Sequence, residues 1–175
     1  MEQQQSTSIS PKVRAPIGLK RAAAMVILRY QRQFLLLKRY NPPHVGKYVP
    51  VGGKLERFES PDQAAIRETF EETGIRITRE QLRYGGILME TSPVDYNWQS
   101  NIYLADVPYQ EAPLCDEGEL AWINFEDIPN ISTPATDWHI YQYLMREQPF
   151  AMNAIFDENI QVLSMTEEIE GIALI

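Results

Sequence analysis

Three glutamates, Glu68, Glu71 and Glu72, lie close together within residues 53–75. A helix turns by about 100° per residue, so this spacing gathers their carboxylates on one side. Like charges at such spacing destabilise an isolated helix, and Arg67 is the nearby opposite charge. Oxygen ligands in this number suit Mg²⁺ or Mn²⁺, and substrate phosphates commonly complete the coordination of Mg²⁺. The segment therefore predicts a divalent-metal site, with a solvated acidic helix face as the alternative.

The helix that carries these glutamates has clear predicted ends. Ser60 is a suitable cap, Pro61 suits the first helical position, and Gln63 occupies the third position of a capping box. Gly74 ends the helix. The apolar pair of Ile66 and Phe70 predicts a face roughly opposite to the glutamates.

The same segment resembles the Nudix box, G-x5-E-x7-R-E-U-x-E-E-x-G-U, in which U is a bulky apolar residue. Thr69 replaces the first U, which is a mild departure. The resemblance implies a Nudix hydrolase of the MutT-like branch, with an α/β fold in which an α/β/α sandwich surrounds a mixed β-sheet. The matching residues are Gly53, Glu59, Arg67, Glu68, Glu71, Glu72, Gly74 and Ile75.

The resemblance also implies roles for individual residues. Glu72 and Glu119 are alternative general bases, and Asp116 and Glu117 are alternatives to Glu119 in the acidic loop. Arg67 is expected to pair with a ligand carboxylate and hold its orientation. The metal ligands implied are the backbone carbonyl of Gly52 and the side chains of Glu68, Glu71, Glu72 and Glu119.

Basic residues on both sides of the box are candidate phosphate ligands. Lys38 and Arg39 end a predicted strand, just before a loop with two prolines. An arginine at this place often contacts phosphate in the resembled family, which favours Arg39 over Lys38. Lys54 follows the paired glycines, as in the branch that acts on nucleoside triphosphates. Plain surface charge is the alternative for each.

The rest of the chain predicts the elements that position this segment. Strands are expected over 22–28, 34–37, 82–91, 101–107 and 120–123, and the first two form a hairpin. A second helix is expected over 134–148, capped by Thr133. Asp137 on its first turn is a candidate acceptor for a base edge, and Tyr96 or Trp98 is a candidate for stacking on a base, with packing as the alternative.

Composition limits the function classes. The chain has 175 residues and 44% hydrophobic content, which suits one domain with one core. A net charge of −8 argues against binding to nucleic-acid polymers or anionic membranes. The single cysteine, Cys115, excludes an internal disulfide, and two histidines argue against a zinc site. Without an apolar signal segment or a membrane span, we expect a cytoplasmic protein.

Three segments are predicted along the chain. Residues 1–16 form a disordered start, residues 17–148 the Nudix hydrolase domain, and residues 149–175 an extension with a β-hairpin. The hairpin is expected to add to a sheet edge, either in the same subunit or in a partner, which would give a homodimer.

The expected activity is Mg²⁺-dependent cleavage of the pyrophosphate linkage in a nucleoside diphosphate derivative. A nucleoside triphosphate, ordinary or oxidised, cleaved to monophosphate and pyrophosphate is the favoured substrate. ADP-ribose or a sugar nucleotide is the alternative within the enzyme class. A Nudix-like nucleotide sensor without turnover is the alternative from another class.

Overall fold

The computed structural model describes residues 16–175, so the predicted disordered start lies outside the described residues except for Pro16. The described chain is a mixed sheet with two α-helices and two short 3-10 helices, Arg79–Gln81 and Ile128–Asn130. The helices are α1 (Pro61–Thr73) and α2 (Ala135–Met145). The strands are β1 (Arg21–Tyr30), β2 (Gln33–Arg39), β3 (Tyr48–Val49), β4 (Val51–Lys54), β5 (Leu82–Thr91), β6 (Trp98–Asp106), β7 (Leu114–Cys115), β8 (Gly118–Asn124), β9 (Phe150–Phe156), β10 (Val162–Glu167) and β11 (Ile172–Ala173).

The strands form one sheet in the order β11-β10-β9-β5-β6-β1-β2-β8-β7. Two pairings are parallel, β1 with β6 and β5 with β9, and the others are antiparallel. Short strand β4 pairs with the first half of β1, while β2 pairs with its end. Strand β1 therefore holds the glycine segment of β4 next to the middle of the sheet.

Each face of the sheet carries one helix, as the α/β/α prediction requires. On one face Ala64 and Ala65 of α1 pack against the side chains of β1 and β2. On the other, Ile140 and Leu144 of α2 pack in a core that includes Leu88 of β5. The predicted α/β class with a mixed sheet is confirmed.

Helix α1 has the predicted ends, and its predicted apolar pair is only partly buried. The backbone N–H of Ser60 donates to Gln63 Oε1 at 3.0 Å, and Gly74 ends the helix at φ 70°. Of the predicted apolar pair, Ile66 packs against the core, whereas Phe70 is 41% exposed and its ring lies under the guanidinium of Arg76.

The buried face of α1 consists instead of small residues, Ala64, Ala65, Thr69 and Thr73. Their size lets the helix lie close to the sheet. Thr69 Oγ1 donates to Ala65 O at 2.7 Å, so its buried hydroxyl is satisfied within the helix. This explains how threonine is accommodated where the Nudix box has an apolar residue.

Most other elements lie close to their predicted positions. Strand β5 coincides with the predicted range 82–91, and the first hairpin turns at Gln31 and Arg32. Helix α2 is shorter than the predicted 134–148. Pro134, not Thr133, is its cap residue, because Thr133 Oγ1 donates to the carbonyl of Tyr48 at 2.7 Å instead.

The C-terminal residues complete the sheet. Strand β9 lies parallel to β5, and β10 and β11 follow it outward, so the hairpin adds to an edge of its own subunit. Phe150, Met152 and Met165 are at most 2% exposed and belong to the core beneath α2. The fully buried carboxylate of Glu167 accepts hydrogen bonds from backbone N–H groups of Ala151 and Glu170. These contacts tie residues 149–175 to the main core.

The two α-helices of the described chain are too short and polar to cross a membrane.

Candidate active site

A cavity of about 660 Å³ opens between β4, α1 and the loop after β2, and reaches the first turn of α2. We call outer end the part lined by Gly52, Gly53, Glu68, Glu72 and Glu117, and inner end the part over β1, β5 and β6, lined by Met25, Leu88, Glu90, Ser100 and Asp137. Of the predicted site residues, the cavity is lined by Arg39, Gly52, Lys54, Glu68 and Glu72.

Both glycines of β4 lie in close contact with neighbouring atoms, and at Gly52 the contact is with backbone. Gly52 has φ 146°, and a Cβ there would collide with the carbonyl of Ala24 on β1. A Cβ on Gly53 would collide with the carboxylate of Glu68. The Glu68 carboxylate therefore lies directly against the backbone of β4, and a side chain at Gly53 would force it to move.

Glu72 is the most deeply buried carboxylate at the outer end. Its Oε2 accepts a hydrogen bond from the Gly52 N–H at 3.2 Å. Burial raises the pKa of Glu72 to about 8, and the negative charges of Glu117 and Glu68 add to the rise. A cation at this end of the cavity would favour the ionised carboxylate and offset both effects.

Arg67 lies beside the three glutamates of α1 and binds several acceptors. Its Nε and Nη2 donate to the two carboxylate oxygens of Glu59 at 2.8 and 2.9 Å, which is a bidentate pair. Its Nη1 donates to Glu68 at 2.7 Å and to Glu71 at 3.1 Å. Arg67 thus holds Glu68 and Glu71 through one guanidinium nitrogen.

Glu71 differs from the other two glutamates. Its side chain is 56% exposed beside Arg67, and it does not line the cavity. Among residues 16–175, no three Asp, Glu, His or Cys side chains are close enough together to hold a metal ion. The hydrogen bonds to Arg67 draw Glu68 and Glu71 towards the guanidinium. By donor type, however, Glu68, Glu72 and Glu117 fit a hard divalent cation.

Glu119 and Lys38 are not brought to the cavity. They are register partners on β8 and β2, so their side chains share one face. Glu119 is exposed, and Lys38 lies over the ring of Tyr48. Alternation along the strand turns the neighbouring Arg39 towards the cavity instead. Glu117, in the turn before β8, lines the cavity, so the geometry favours Glu117 over Glu119.

The two basic residues that line the cavity lie near its aromatic and acidic groups. Lys54 Nζ is 5.7 Å from the centre of the Trp98 ring, and Arg39 interacts with the charge of Glu72. Both cations can therefore meet phosphate oxygens without entering the buried inner end.

The inner end holds a cluster of polar side chains that the sequence indicates only in part. Glu90 and Asp137 are only 5% and 7% exposed, and Tyr96 Oη donates to Glu90 Oε1 at 3.2 Å. Burial raises the pKa of Glu90 to about 7. Burial, together with the charge of Glu90, raises the pKa of Asp137 to about 8. Ser100 is 1% exposed and also lines this end.

Alternation along β5 was the available signal for Glu90. Leu88 and Glu90 share one face of the strand, so a charged residue falls on a face whose neighbour is core. Ser100 gave no comparable signal, because a serine in a strand is common on either face. Asp137 and Tyr96 were singled out in sequence, and the structure brings both to the cavity.

Comparisons with known proteins agree with this architecture. The family model described as the NUDIX domain matches residues 18–145. A curated relative, the uncharacterized Nudix hydrolase YvcI of Bacillus subtilis (strain 168), is 33% identical over 125 residues, which cover 70% of this chain and 77% of that protein.

Solved structures share the fold. A MutT protein from Bacillus halodurans superposes with a TM-score of 0.75 at 22% identity, covering 85% of this chain and 98% of that one. The NUDIX domain of Shewanella oneidensis NrtR, solved with ADP ribose, has a TM-score of 0.62 at 17% identity, covering 79% of this chain and 93% of that one.

Proposed function

Since the chain belongs to the NUDIX family and is a MutT-like Nudix pyrophosphohydrolase, we propose that it cleaves the diphosphate linkage of a nucleoside diphosphate derivative with Mg²⁺ as its cofactor. The single observation that carries this proposal is the acidic outer end of the cavity. There Glu68 and Glu72 approach the glycine backbone of β4, and Glu117 lines the same cavity. Cationic Arg39 and Lys54 lie at the same cavity.

The residues that would hold the cation are Glu68 and Glu72, with the Gly52 carbonyl as a further oxygen ligand. Glu71 is retained as a ligand that must turn away from Arg67, and Glu117 takes the place proposed for Glu119. Mn²⁺ is an acceptable substitute by the same donor chemistry. When bound, such a cation neutralises charge on the diphosphate and lowers the pKa of water.

Phosphate binding, proton transfer and the positioning of Glu68 depend on side chains of this chain. Arg39 and Lys54 bind phosphate oxygens and offset their charge. Glu72, held by the Gly52 N–H, is positioned to accept a proton from the attacking water, and Glu117 is the alternative base. Arg67 positions Glu68 through its hydrogen bond.

A nucleoside triphosphate cleaved to monophosphate and pyrophosphate is the favoured substrate. The two cations at the cavity suit a linear phosphate chain, and the cavity of about 660 Å³ has room for a nucleotide. ADP-ribose is the second candidate, because the similar NrtR domain was solved with ADP ribose. A small nucleotide substrate and a single cysteine also favour a cytoplasmic location.

The test is Mg²⁺-dependent phosphate release over a panel of triphosphates, oxidised triphosphates, ADP-ribose and dinucleoside polyphosphates. Glu72→Gln should lower kcat on the best substrate by on the order of 10² to 10⁴ while the protein remains folded. The matched control is Glu158→Gln, the same change in an exposed turn, which should leave turnover unchanged. Full turnover by Glu72→Gln at ordinary Mg²⁺ concentration would contradict the assignment.

A further inference from the structure

Trp98, on the wall of the cavity, lies beside two cations. The Lys54 Nζ is 5.7 Å from the centre of its ring, and the guanidinium carbon of Arg21 is 5.1 Å from the same centre. A cation within about 6 Å of an indole is attracted by the negative charge of the ring face. The indole therefore attracts both side chains, of which Lys54 lines the cavity.

The register of three strands produces this arrangement. Trp98 on β6 is the register partner of Arg21 on β1, and Lys54 on β4 is the partner of Ala23, two residues further along β1. Residues two apart in a strand share a face, and so do register partners. The side chains of Lys54, Arg21 and Trp98 thus lie on one face of the sheet, and their proximity follows from strand pairing.

The two cations have different partners. Arg21 Nη2 forms an ion pair with Asp95 Oδ1 at 2.6 Å and donates to the carbonyl of Asp95 at 3.2 Å. Lys54 is anchored through its backbone, because its carbonyl accepts a hydrogen bond from Arg67 Nη2 at 3.1 Å. Within the described range 16–175, the neighbouring carboxylates pair with Arg21 and Arg67, and the Lys54 ammonium group has no carboxylate partner.

Contact with a ring leaves a lysine available to a ligand. An ammonium group has three N–H donors, and a ring face attracts it without taking up a conventional hydrogen bond. A lysine held by a carboxylate would have to give up that partner before it bound phosphate. Lys54 over the indole needs no such exchange, although Glu68 and Asp95 line the same cavity.

We propose that Trp98 is a positioning residue that holds Lys54 where the phosphate chain of the substrate binds, and that Arg21 keeps the Asp95 carboxylate from pairing with Lys54. The inference rests on the proposed function, since the phosphate chain belongs to the nucleotide substrate. The ring limits the directions of the flexible lysine stem, so less conformational freedom is lost when phosphate binds. The ammonium charge then offsets the charge of the phosphate oxygens.

A double-mutant cycle tests the link between Trp98 and Lys54. Trp98→Leu and Lys54→Met should each lower kcat/KM on the best substrate of the panel, Trp98→Leu by about 3- to 10-fold. In the Lys54→Met background, Trp98→Leu should lower kcat/KM by less than about 2-fold more, because the residue on which the indole acts is gone. Losses that multiply in the double variant would overturn the proposal.

Two further variants separate positioning from folding. Trp98→Phe keeps an aromatic ring and should retain most of the activity that Trp98→Leu loses. The matched control is Trp122→Leu on β8, which removes another half-buried indole that does not line the cavity and should leave kcat/KM unchanged. Melting temperatures of all variants identify any loss that comes from unfolding. Trp98→Phe that folds but is as impaired as a folded Trp98→Leu would contradict the role of the ring.

A charge rescue tests the role of Arg21. Arg21→Gln frees the Asp95 carboxylate to compete for Lys54, so KM should rise by about 3- to 10-fold with a smaller change in kcat. Asp95→Asn in the same chain removes the competing charge and should return KM to within about 2-fold of the wild type. A KM that stays high in the double variant would overturn the role given to Arg21.

Failure of this proposal and failure of the proposed function give different results. Titration calorimetry with Mg²⁺ and a methylene-bridged triphosphate, which carries no nucleoside and resists hydrolysis, measures phosphate binding without turnover. Trp98→Leu and Lys54→Met should each weaken this binding by about 3- to 10-fold. Unchanged affinity in Trp98→Leu overturns the inference even where nucleotides are hydrolysed. Weaker binding in both variants, without hydrolysis of any nucleotide by the wild type, supports the inference and contradicts the proposed function.

Discussion

At the residue scale, the site is defined by how far each carboxylate is removed from water. Glu68, Glu71 and Glu72 are near neighbours in sequence, yet their environments differ. Glu71 is exposed, Glu68 is bound by Arg67, and Glu72 is buried against Gly52. Burial gives Glu72 a raised pKa, whereas the guanidinium of Arg67 provides Glu68 with a cation. Three residues of the same type therefore have three different environments.

Asp137 gives a pH-dependent prediction at this scale. Its pKa is raised from 3.8 to about 8 by burial, so the folded protein favours the neutral acid. Its contribution to stability is complete below pH 3.8 and is lost as the pH rises towards 8. Asp137→Asn cannot ionise, so its free energy of unfolding should rise relative to that of the wild type between pH 5 and pH 8. The gain is limited to about 1.4 kcal/mol per pH unit.

Urea unfolding at several pH values measures this difference, and only its slope with pH matters. An amide at this position can shift stability by a constant amount, which does not affect the slope. Asp116→Asn, in the exposed loop before β8, is the control and should run parallel to the wild type. Parallel curves for Asp137→Asn as well would show that Asp137 ionises in the folded protein as it does in the unfolded chain.

At the element scale, α1 packs through small residues and threonines rather than through large apolar side chains. Thr69 and Thr73 are both buried, and both hydroxyls donate to the carbonyl four residues earlier. They differ in one contact. Thr73 Oγ1 also accepts the N–H of Ile75 at 3.0 Å, which fixes the chain just after the helix. The end of α1 thus depends on a side-chain hydroxyl as well as on Gly74.

This difference predicts unequal losses of stability for the same substitution at Thr73 and at Thr69. Thr73→Val leaves the buried N–H of Ile75 without its partner and should lower the free energy of unfolding by roughly 1–3 kcal/mol. Thr69→Val is the matched control, because the Ala65 carbonyl keeps its backbone helical bond, and stability should change by less than about 0.5 kcal/mol. Chemical denaturation of both variants measures the difference. Equal losses would contradict the role given to Thr73.

At the scale of the whole molecule, the C-terminal strands are part of the structure that holds the site. Strand β9 pairs with β5, the strand that carries Glu90, and its Phe156 packs against the Tyr96 ring at 5.4 Å. Phe150, Met152 and Met165 fill the core under α2, which carries Asp137. The inner end of the cavity therefore depends on residues beyond the range 18–145 that matches the family.

This dependence gives a stability prediction. Met165→Ala should lower the free energy of unfolding by roughly 2–5 kcal/mol, because the side chain is fully buried and its loss leaves a cavity. Leu163→Ala on the same strand is the control. Its side chain is 62% exposed, so the change should cost less than about 0.5 kcal/mol. Thermal or urea unfolding compares the two.

A chain that ends at Gln148 extends the same test. It should lose cooperative unfolding, since it lacks these core residues and leaves β5 as an unpaired edge. Retained stability and turnover in the shortened chain would show that residues 149–175 are dispensable.

The sequence by itself determined the Nudix box and the order of elements. The two ends of helix α1, at Ser60 and Gly74, follow from capping. The box residues follow from their spacing and strand β5 from alternation, and all three signals act between near neighbours. Only the tertiary structure decided which carboxylates share the cavity. The register between β2 and β8 turns Glu119 away and leaves Glu117 beside Glu72. The pairing of β5 with β6, under α2, brings Glu90, Ser100 and Asp137 together from distant parts of the chain. Sequence spacing carries no information on such encounters, because they depend on strand register and on the packing of separate elements.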